Sequence, residues 1–300
     1  MYIIQHRTLF FWITGAILGA AIGSIAYFGL PLGIDFTGGS LMHVKYTNGA
    51  PSLTDIEKQV LTVPLGAVSV RSAGEDAVSI RTRSMTPAEH EAVFAAISSN
   101  NAVTELSYTS VGPALGTEFA HKALWATAAV VFVIALYIAF AFRKVSRPIS
   151  SWYYGFAVII ILVHDLIIPA GFFAALTHYT NAQVDALFIT ALLALLGYSV
   201  NDTIIIYDRV RENLMKSEKM GLKESFEDTI GKSISETMTR SLNMSLTVVL
   251  ALGALVLFGA KATQDFSLVM LIGVISGTYS SILLAAPLLV PIANRLTKKG

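Results

Sequence analysis

The chain has 300 residues, 54% of them hydrophobic and 14% charged, with a mean hydropathy of +0.64 and a formal net charge of +1. Soluble domains carry about 25% charged residues, so the composition excludes an ordinary soluble protein and describes a multi-spanning membrane protein. The near-neutral charge argues against nucleic acid as a partner, which calls for a strongly basic face, and the absence of cysteine removes disulfides, thiolate metal sites and thiol nucleophiles.

Taken in order, Thr8 to Leu30 is an apolar run of about 23 residues behind His6 and Arg7. It is too long for the apolar region of a cleavable signal peptide and reads as a retained first helix, so that residues 1–30 form the N-terminus and first span. Gly15, Gly19 and Gly23 fall on one face and predict close approach of another helix. Residues 31–117 change character, with frequent charges and turn residues. Ser40 to Tyr46 predicts a strand, and Ser52 to Thr62 a helix capped by Ser52 or Thr54. Ala67 to Arg71 and Ala77 to Thr82 predict two strands around the turn Ala73-Gly74-Glu75-Asp76. Thr86-Pro87 opens a second helix with Glu89 in capping-box position, and Ala102 to Val111 closes with a strand. The order βαββαβ predicts one small α+β ferredoxin-like domain between the first two spans.

Residues 118–300 hold five further apolar runs: Phe119 to Phe142, Trp152 to Leu176, Val184 to Tyr207, Ser241 to Phe258 and Phe266 to Ile292. The fold class is therefore an α-helical polytopic membrane protein with six transmembrane helices. Arg143, Lys144 and Arg147 follow the second span. Arg209, Arg211, Lys216, Lys219, Lys223, Lys232 and Arg240 lie between the fourth and fifth, and Arg295, Lys298 and Lys299 follow the sixth. The loop near Asn181 has no Lys or Arg, and the one near Lys261 has a single Lys. By the positive-inside rule both termini are cytoplasmic and the α+β domain is extracytoplasmic, on the periplasmic or extracellular side. In the cytoplasmic loop 208–240, Leu222, Phe226, Ile230, Ile234 and Met238 recur in steps of four and predict an amphipathic helix along the membrane surface, or a docking helix for a partner.

Polar residues inside these runs are the candidate site. Asn201 and Asp202 interrupt the fourth span, where a carboxylate costs about 2.5–3.5 kcal/mol near the bilayer centre. Asp202 then faces a partner, a cavity or a proton path; the alternative is a wet helix end. Arg240 opens the fifth span on the same side of the membrane, where a charge pair with Asp202 is geometrically reasonable. His164 and Asp165 sit halfway along the third span, and Pro169 removes the backbone donor to the Asp165 carbonyl. They form either a relay or a buried pair holding helices together. Gly273 and Gly277 are spaced for close packing, and Pro287 and Pro291 bend or end the sixth span. The sequence has no G-x-x-x-x-G-K-[ST] loop and no H-E-x-x-H, so no nucleotide, metal or other cofactor is expected and the energy source is a gradient or a partner.

Several strings carry a resemblance: Gly33-Ile34-Asp35-Phe36-Thr37-Gly38-Gly39, Val111-Gly112-Pro113 with Gly116, Val163-His164-Asp165, Gly197-Tyr198-Ser199-Val200-Asn201-Asp202, and Tyr207-Asp208-Arg209-Val210-Arg211-Glu212-Asn213. Together, in this order, they resemble the SecF side of the SecD/SecF protein-export family, in the resistance-nodulation-division superfamily. The resemblance implies a non-enzymatic subunit of a cell (inner) membrane. It works with SecD, the SecYEG channel, the translocating preprotein and membrane lipids, and it uses the proton motive force to draw preproteins out after insertion by SecA. It also implies that the Asp of the ND motif and an Arg at the start of the fifth span, here Asp202 and Arg240, belong to the proton-responsive site, with Asn201 beside them and the other half of the path in SecD. Gly38, Gly39, Gly112 and Pro113 are candidate hinges or tight-packing positions where domain meets membrane. A proton-driven small-molecule or lipid exporter of the same superfamily, and a purely structural scaffold, are the alternatives.

Overall fold

The structure, a computed structural model, describes residues 2–74, 76–99, 101–143, 149–180, 182–221 and 224–297. Glu75, Lys144, Arg147, Asn181, Leu222, Lys223, Lys298 and Lys299, all used above, lie outside them. The chain divides into two compact units. One is Met1–Gly29, Ala126–Leu176 and Leu187–Gly300, and the other is Leu30–Trp125 with Thr177–Ala186.

In the second unit a short helix α3 (Ile34–Thr37) precedes the sheet, which the glycine-rich composition of that stretch had hidden. The sheet follows: β1 (Gly39–Tyr46), α4 (Leu53–Val60), β2 (Ser69–Gly74), β3 (Ala77–Thr82), α5 (Pro87–Ser98) and β4 (Val103–Val111). All pairings are antiparallel in the order β2-β3-β1-β4, the ferredoxin-like arrangement. Alternation along the strands buries Met42, Val44 and Tyr46 of β1 and Val78 and Ile80 of β3. Ile56 and Val60 of α4 and Val93 and Ile97 of α5 complete this core. Ser52 is the cap of α4, accepting from the Asp55 N–H. Thr86 and Glu89 close a full capping box on α5.

The first unit is helical. A turn of helix, α1 (Tyr2–Gln5), leads into α2 (Arg7–Phe28). Then come α6 (Pro113–Ala141), α7 (Ser151–Tyr179), α8 (Ala186–Lys219), α9 (Phe226–Phe258), α10 (Lys261–Ser280), a π-helical turn at Ser281–Ala285 and α11 (Ala286–Thr297). Counting α10 through α11 as one, six helices among the described residues are long and apolar enough to cross a membrane. Within an 18-residue apolar stretch of each, 56% of residues are buried in Thr263–Arg295 and in α7 and 44% in α8, against 11% in α2 and 17% in α6 and α9, so the first three form the centre of the bundle.

Two expectations are corrected, and a third concerns a face that this chain leaves open. The stretch before the fifth span is not a helix on the membrane surface: it is the first half of α9, and Ile230 and Ile234 sit fully inside the bundle core with Tyr207 and Val210 of α8. Helices of 34 and 33 residues are about 50 Å long at ~1.5 Å per residue, well beyond a hydrocarbon core of about 30 Å. The surplus of each forms a hairpin, tied by Arg209 to Glu236 at 2.6 Å and Asn213 to Ser233 at 3.0 Å. A Cβ on Gly15, Gly19 or Gly23 would meet no described atom of this chain within 4 Å, so the helix expected there is not one of this chain's described helices. The close approach of α2 lies on roughly the opposite side, where Ala21 packs on Gly171 of α7 and the Ser24 hydroxyl donates to the Gly171 carbonyl at 2.7 Å. Finally, Pro287 and Pro291 do not end the sixth span. Pro287 has no N–H for the Leu283 carbonyl, and the ladder accommodates this with the π-helical turn just ahead of it before helix resumes to Thr297.

Because the sheet and its two helices own a complete core, the segment Ser40 to Val111 should unfold cooperatively in urea when excised, and Thr86→Ala should cost it about 1 kcal/mol. The Arg83 guanidinium and the Thr86 N–H hold the Glu89 carboxyl down at about 2 from an ordinary 4.5. Since the folded value is depressed, the stabilisation is present above pH 4.5 and disappears as pH falls towards 2; Glu89→Gln should flatten that acid limb.

Candidate functional site

Two clusters of buried polar residues surround the acids of the bundle, both built on the inner face of α8. Ser199, Asp202, Thr203 and Ile206 recur at helical spacing and are all buried there, whereas Asn201 points the other way and is exposed. In the first cluster Asp165, 0% exposed, is held by Nδ1 of His164 at 2.8 Å and by the Ser199 hydroxyl, which donates to its other oxygen. The second ring nitrogen of His164 meets the Tyr279 hydroxyl of α10 at 2.9 Å. Gly277 makes the site possible: a Cβ there would stand 3.2 Å from Ser199 and 3.6 Å from Asp165, so the glycine spacing in α10 serves contacts within this chain.

In the second cluster Asp202, 2% exposed, accepts from the Ser245 hydroxyl of α9 at 3.3 Å. Thr278 of α10 donates to Ser245 at 2.7 Å, and the buried hydroxyl of Ser241 lies one turn before Ser245. Thr203 and Ser281 are 2.9 Å apart, and the Tyr207 hydroxyl donates to the Ala285 carbonyl at 3.1 Å, so α8 grips the π-helical turn at both ends. Arg240 is on α9 next to Ser241 but is exposed, and among the described residues it forms no ion pair with Asp202. The structure thus brings His164 and Asp165 together, leaves Asp202 among hydroxyls, and does not join it to Arg240 or Asn201. Ser199, Ser245, Thr278 and Tyr279 were not singled out beforehand. Hydroxyls are common in apolar helices, and only their shared faces would have marked them.

In the other unit the glycine-rich string forms a junction. Asp35 accepts the N–H of Ala186 at 2.8 Å and so caps α8. Gly33 donates to the Val184 carbonyl at 2.7 Å. Gly38 and Gly39 both have positive φ, 72° and 128°, and a Cβ on them would stand 2.6 Å from Pro113 and 2.7 Å from the Thr82 carbonyl. Gly38 is therefore packed on Pro113 and Gly39 on Thr82, while Gly112 has ordinary φ and open space around it.

Comparison with known proteins now separates what is shared. Residues 91–295 match the family model described as protein export membrane protein SecD/SecF, C-terminal, and residues 23–50 match the SecD/SecF GG motif. The chain belongs to the SecD/SecF family. Within it, the protein translocase subunit SecF of Thermobaculum terrenum is 36% identical over 98% of this chain and 94% of that one. The subunit of the same name from Anaerolinea thermophila is 35% identical over 96% and 92%. The crystal structure of SecDF, a translocon-associated membrane protein from Thermus thermophilus, superposes with a TM-score of 0.83 at 26% identity and covers 98% of this chain, which spans 39% of that larger protein. The family's GG motif is the junction of Gly38 and Gly39, and its C-terminal model contains both polar clusters.

The contrast between the two glycine stripes gives a direct check. Gly277→Leu should force the Asp165–Ser199 contact apart and lower stability in detergent by about 1–3 kcal/mol. Gly19→Leu, with nothing near it, should stay within about 0.5 kcal/mol of the parent. Thermal or urea unfolding of the two variants measures both.

Proposed function

We propose that this chain is a SecF-type, non-enzymatic subunit that joins a SecD partner and couples the proton motive force to late preprotein movement through the SecYEG channel. The supporting observation is Asp202: a carboxyl buried in an apolar helix, among hydroxyls and with no ion-pair partner among the described residues. Such an arrangement is costly unless the group is used. Arg240 cannot lose its charge, so only the aspartate switches. Arg240 immediately precedes Ser241 on α9, about 100° around the helix. Turning α9 by that amount exchanges the Ser241 hydroxyl for the guanidinium. With Asp202 protonated the hydroxyl-lined packing seen here is favoured, and with Asp202 ionised the packing with Arg240 is favoured. Proton binding from one side and release to the other then biases two packings of one bundle.

In this reading the charged hairpin of α8 and α9, carrying Arg209, Arg211, Lys216 and Lys219, is cytoplasmic and the ferredoxin-like unit faces outwards. Membrane lipid covers α2. The membrane is the cell (inner) membrane.

Inverted vesicles carrying the channel, the SecD partner and this chain test the proposal through gradient-stimulated preprotein translocation. Asp202→Asn and Arg240→Met should each remove the stimulation at unchanged membrane abundance. Full stimulation by the Asp202→Asn chain would overturn the reading.

A further inference from the structure

We propose that His164 and Asp165, with Tyr279 and Ser199, form a second proton-binding site that takes up one proton as a unit. The inference extends the reading of Asp202 and rests on it only for what the protons are used for.

Hydrogen accounting carries the argument. A neutral imidazole has one donor and one acceptor nitrogen. With Asp165 ionised, His164 Nδ1–H donates to Oδ1 at 2.8 Å, Ser199 donates to Oδ2, and Nε2 accepts the Tyr279 hydroxyl at 2.9 Å. Every contact is satisfied and the cluster carries one negative charge. One more proton can enter without breaking a heavy-atom contact. It either binds Nε2, giving the imidazolium, or binds Asp165, which then donates to Nδ1 while the ring hydrogen moves to Nε2. In both forms the charge becomes zero, and Nε2–H now donates to the Tyr279 oxygen. The same three contacts therefore hold two proton counts, and Tyr279 changes from donor to acceptor. In the imidazolium form that reversal is the only rearrangement required, and in the other form the ring hydrogen moves as well.

The surroundings make the two counts differ in free energy. Asp165 is 0% exposed and His164 2% exposed, and a net charge at such a place is expensive. The groups facing the pair offer no compensation. From α8 come Ser199 and, three residues on, Asp202, itself an acid; from α10 come Tyr279 and the bare Gly277. α2 packs on α7 at Ala21 and has no charged residue after Arg7, and α6 packs on it at Ala135 with none between Ala126 and Ala141. No Lys or Arg pairs with Asp165 among the described residues, where its partner is His164. A fixed ion pair would need none of this; a site that alternates between proton counts needs a hydroxyl able to reverse, and Tyr279 is placed to do so.

The two clusters also share their supports. Ser199 and Asp202 lie on one face of α8. Tyr279 directly follows Thr278, whose hydroxyl holds Ser245 against Asp202, and the π-helical turn begins two residues later. A turn of α10 that reorients Tyr279 carries Thr278 with it, so occupation of one site is felt at the other.

Infrared difference spectra of the purified full-length chain on pH change test this, together with nitrogen-15 resonances of labelled His164. The wild type should show two carboxyl bands that respond to pH, one lost in Asp165→Asn and the other in Asp202→Asn; the first is a shifted carboxylate band if the proton sits on the ring and a protonated-carboxyl band if it sits on Asp165. His164 Nε2 should pass from acceptor to N–H over the pH range in which the Asp165 cluster loads, and Tyr279→Phe should displace that transition by about tenfold in proton concentration, the scale of one hydrogen bond to a charged group. His164 resonances that stay fixed throughout, with no band lost in Asp165→Asn, would show a permanent structural pair and overturn the proposal. Should Asp165→Asn fail to fold, the wild-type His164 titration still decides. If Asp202→Asn removes no band, the proposed role of Asp202 fails while this site stands.

Discussion

The constraint on which the bundle depends is the burial of two carboxyl groups in a helix assembly that places no lysine or arginine beside either of them among the described residues. A charge so placed has to be met by donors, neutralised by a proton, or approached by a cation after movement. The central helices follow from this. Hydroxyls from α8 and α9 are directed at the acids and those of α10 at Ser245 and His164, Gly277 clears room for Ser199 and Asp165, and the irregular turn at Ser281–Ala285 is held by Thr203 and Tyr207. Irregular backbone inside an apolar bundle is tolerated where side chains satisfy it, and here they come from the helix that carries Asp202.

The second unit is built on other terms. It has its own apolar core and its own caps. Its glycine junction is a steric device: Gly38, Gly39 and Gly116 let the start of β1 and the start of α6 come within van der Waals contact, and Asp35 finishes α8. In the SecD/SecF family this string is the GG motif. Its conformation accounts for the glycines by positive φ and close approach, without any appeal to flexibility at those two positions.

Much of this was legible in the residues. Six apolar runs, a βαββαβ order and a capping box at Thr86 depend on local chemistry, and local chemistry is what a sequence displays. The structure differs where a long-range partner decides. Ile230 and Ile234 read as a surface helix because their stripe sits among Glu, Lys and Ser, but that stripe is claimed by α8 and the helix runs on into the span. Gly15, Gly19 and Gly23 show a packing motif on a face that no helix of this chain covers, while the close contact of α2 falls on Ala21 and Gly171. Asp202 and the His164–Asp165 pair stood out because charge is rare in apolar helices. Ser245, Thr278 and Tyr279, which decide what those acids touch, did not, since nothing local separates a hydroxyl that lines a site from one that bonds its own backbone.

The central claim is that the proton on Asp202 sets how α9 sits against α8. The chain has no cysteine, so a pair introduced at Met215 of α8 and Leu242 of α9, both exposed, can carry spin labels without interference. The distance between them, measured by pulsed electron resonance in lipid at acidic and alkaline pH, tests the claim most directly. The account predicts two distance populations that exchange with pH, and an Asp202→Asn chain that keeps the acidic population throughout. A single distance, unchanged by pH in the parent and the same in the variant, would contradict it.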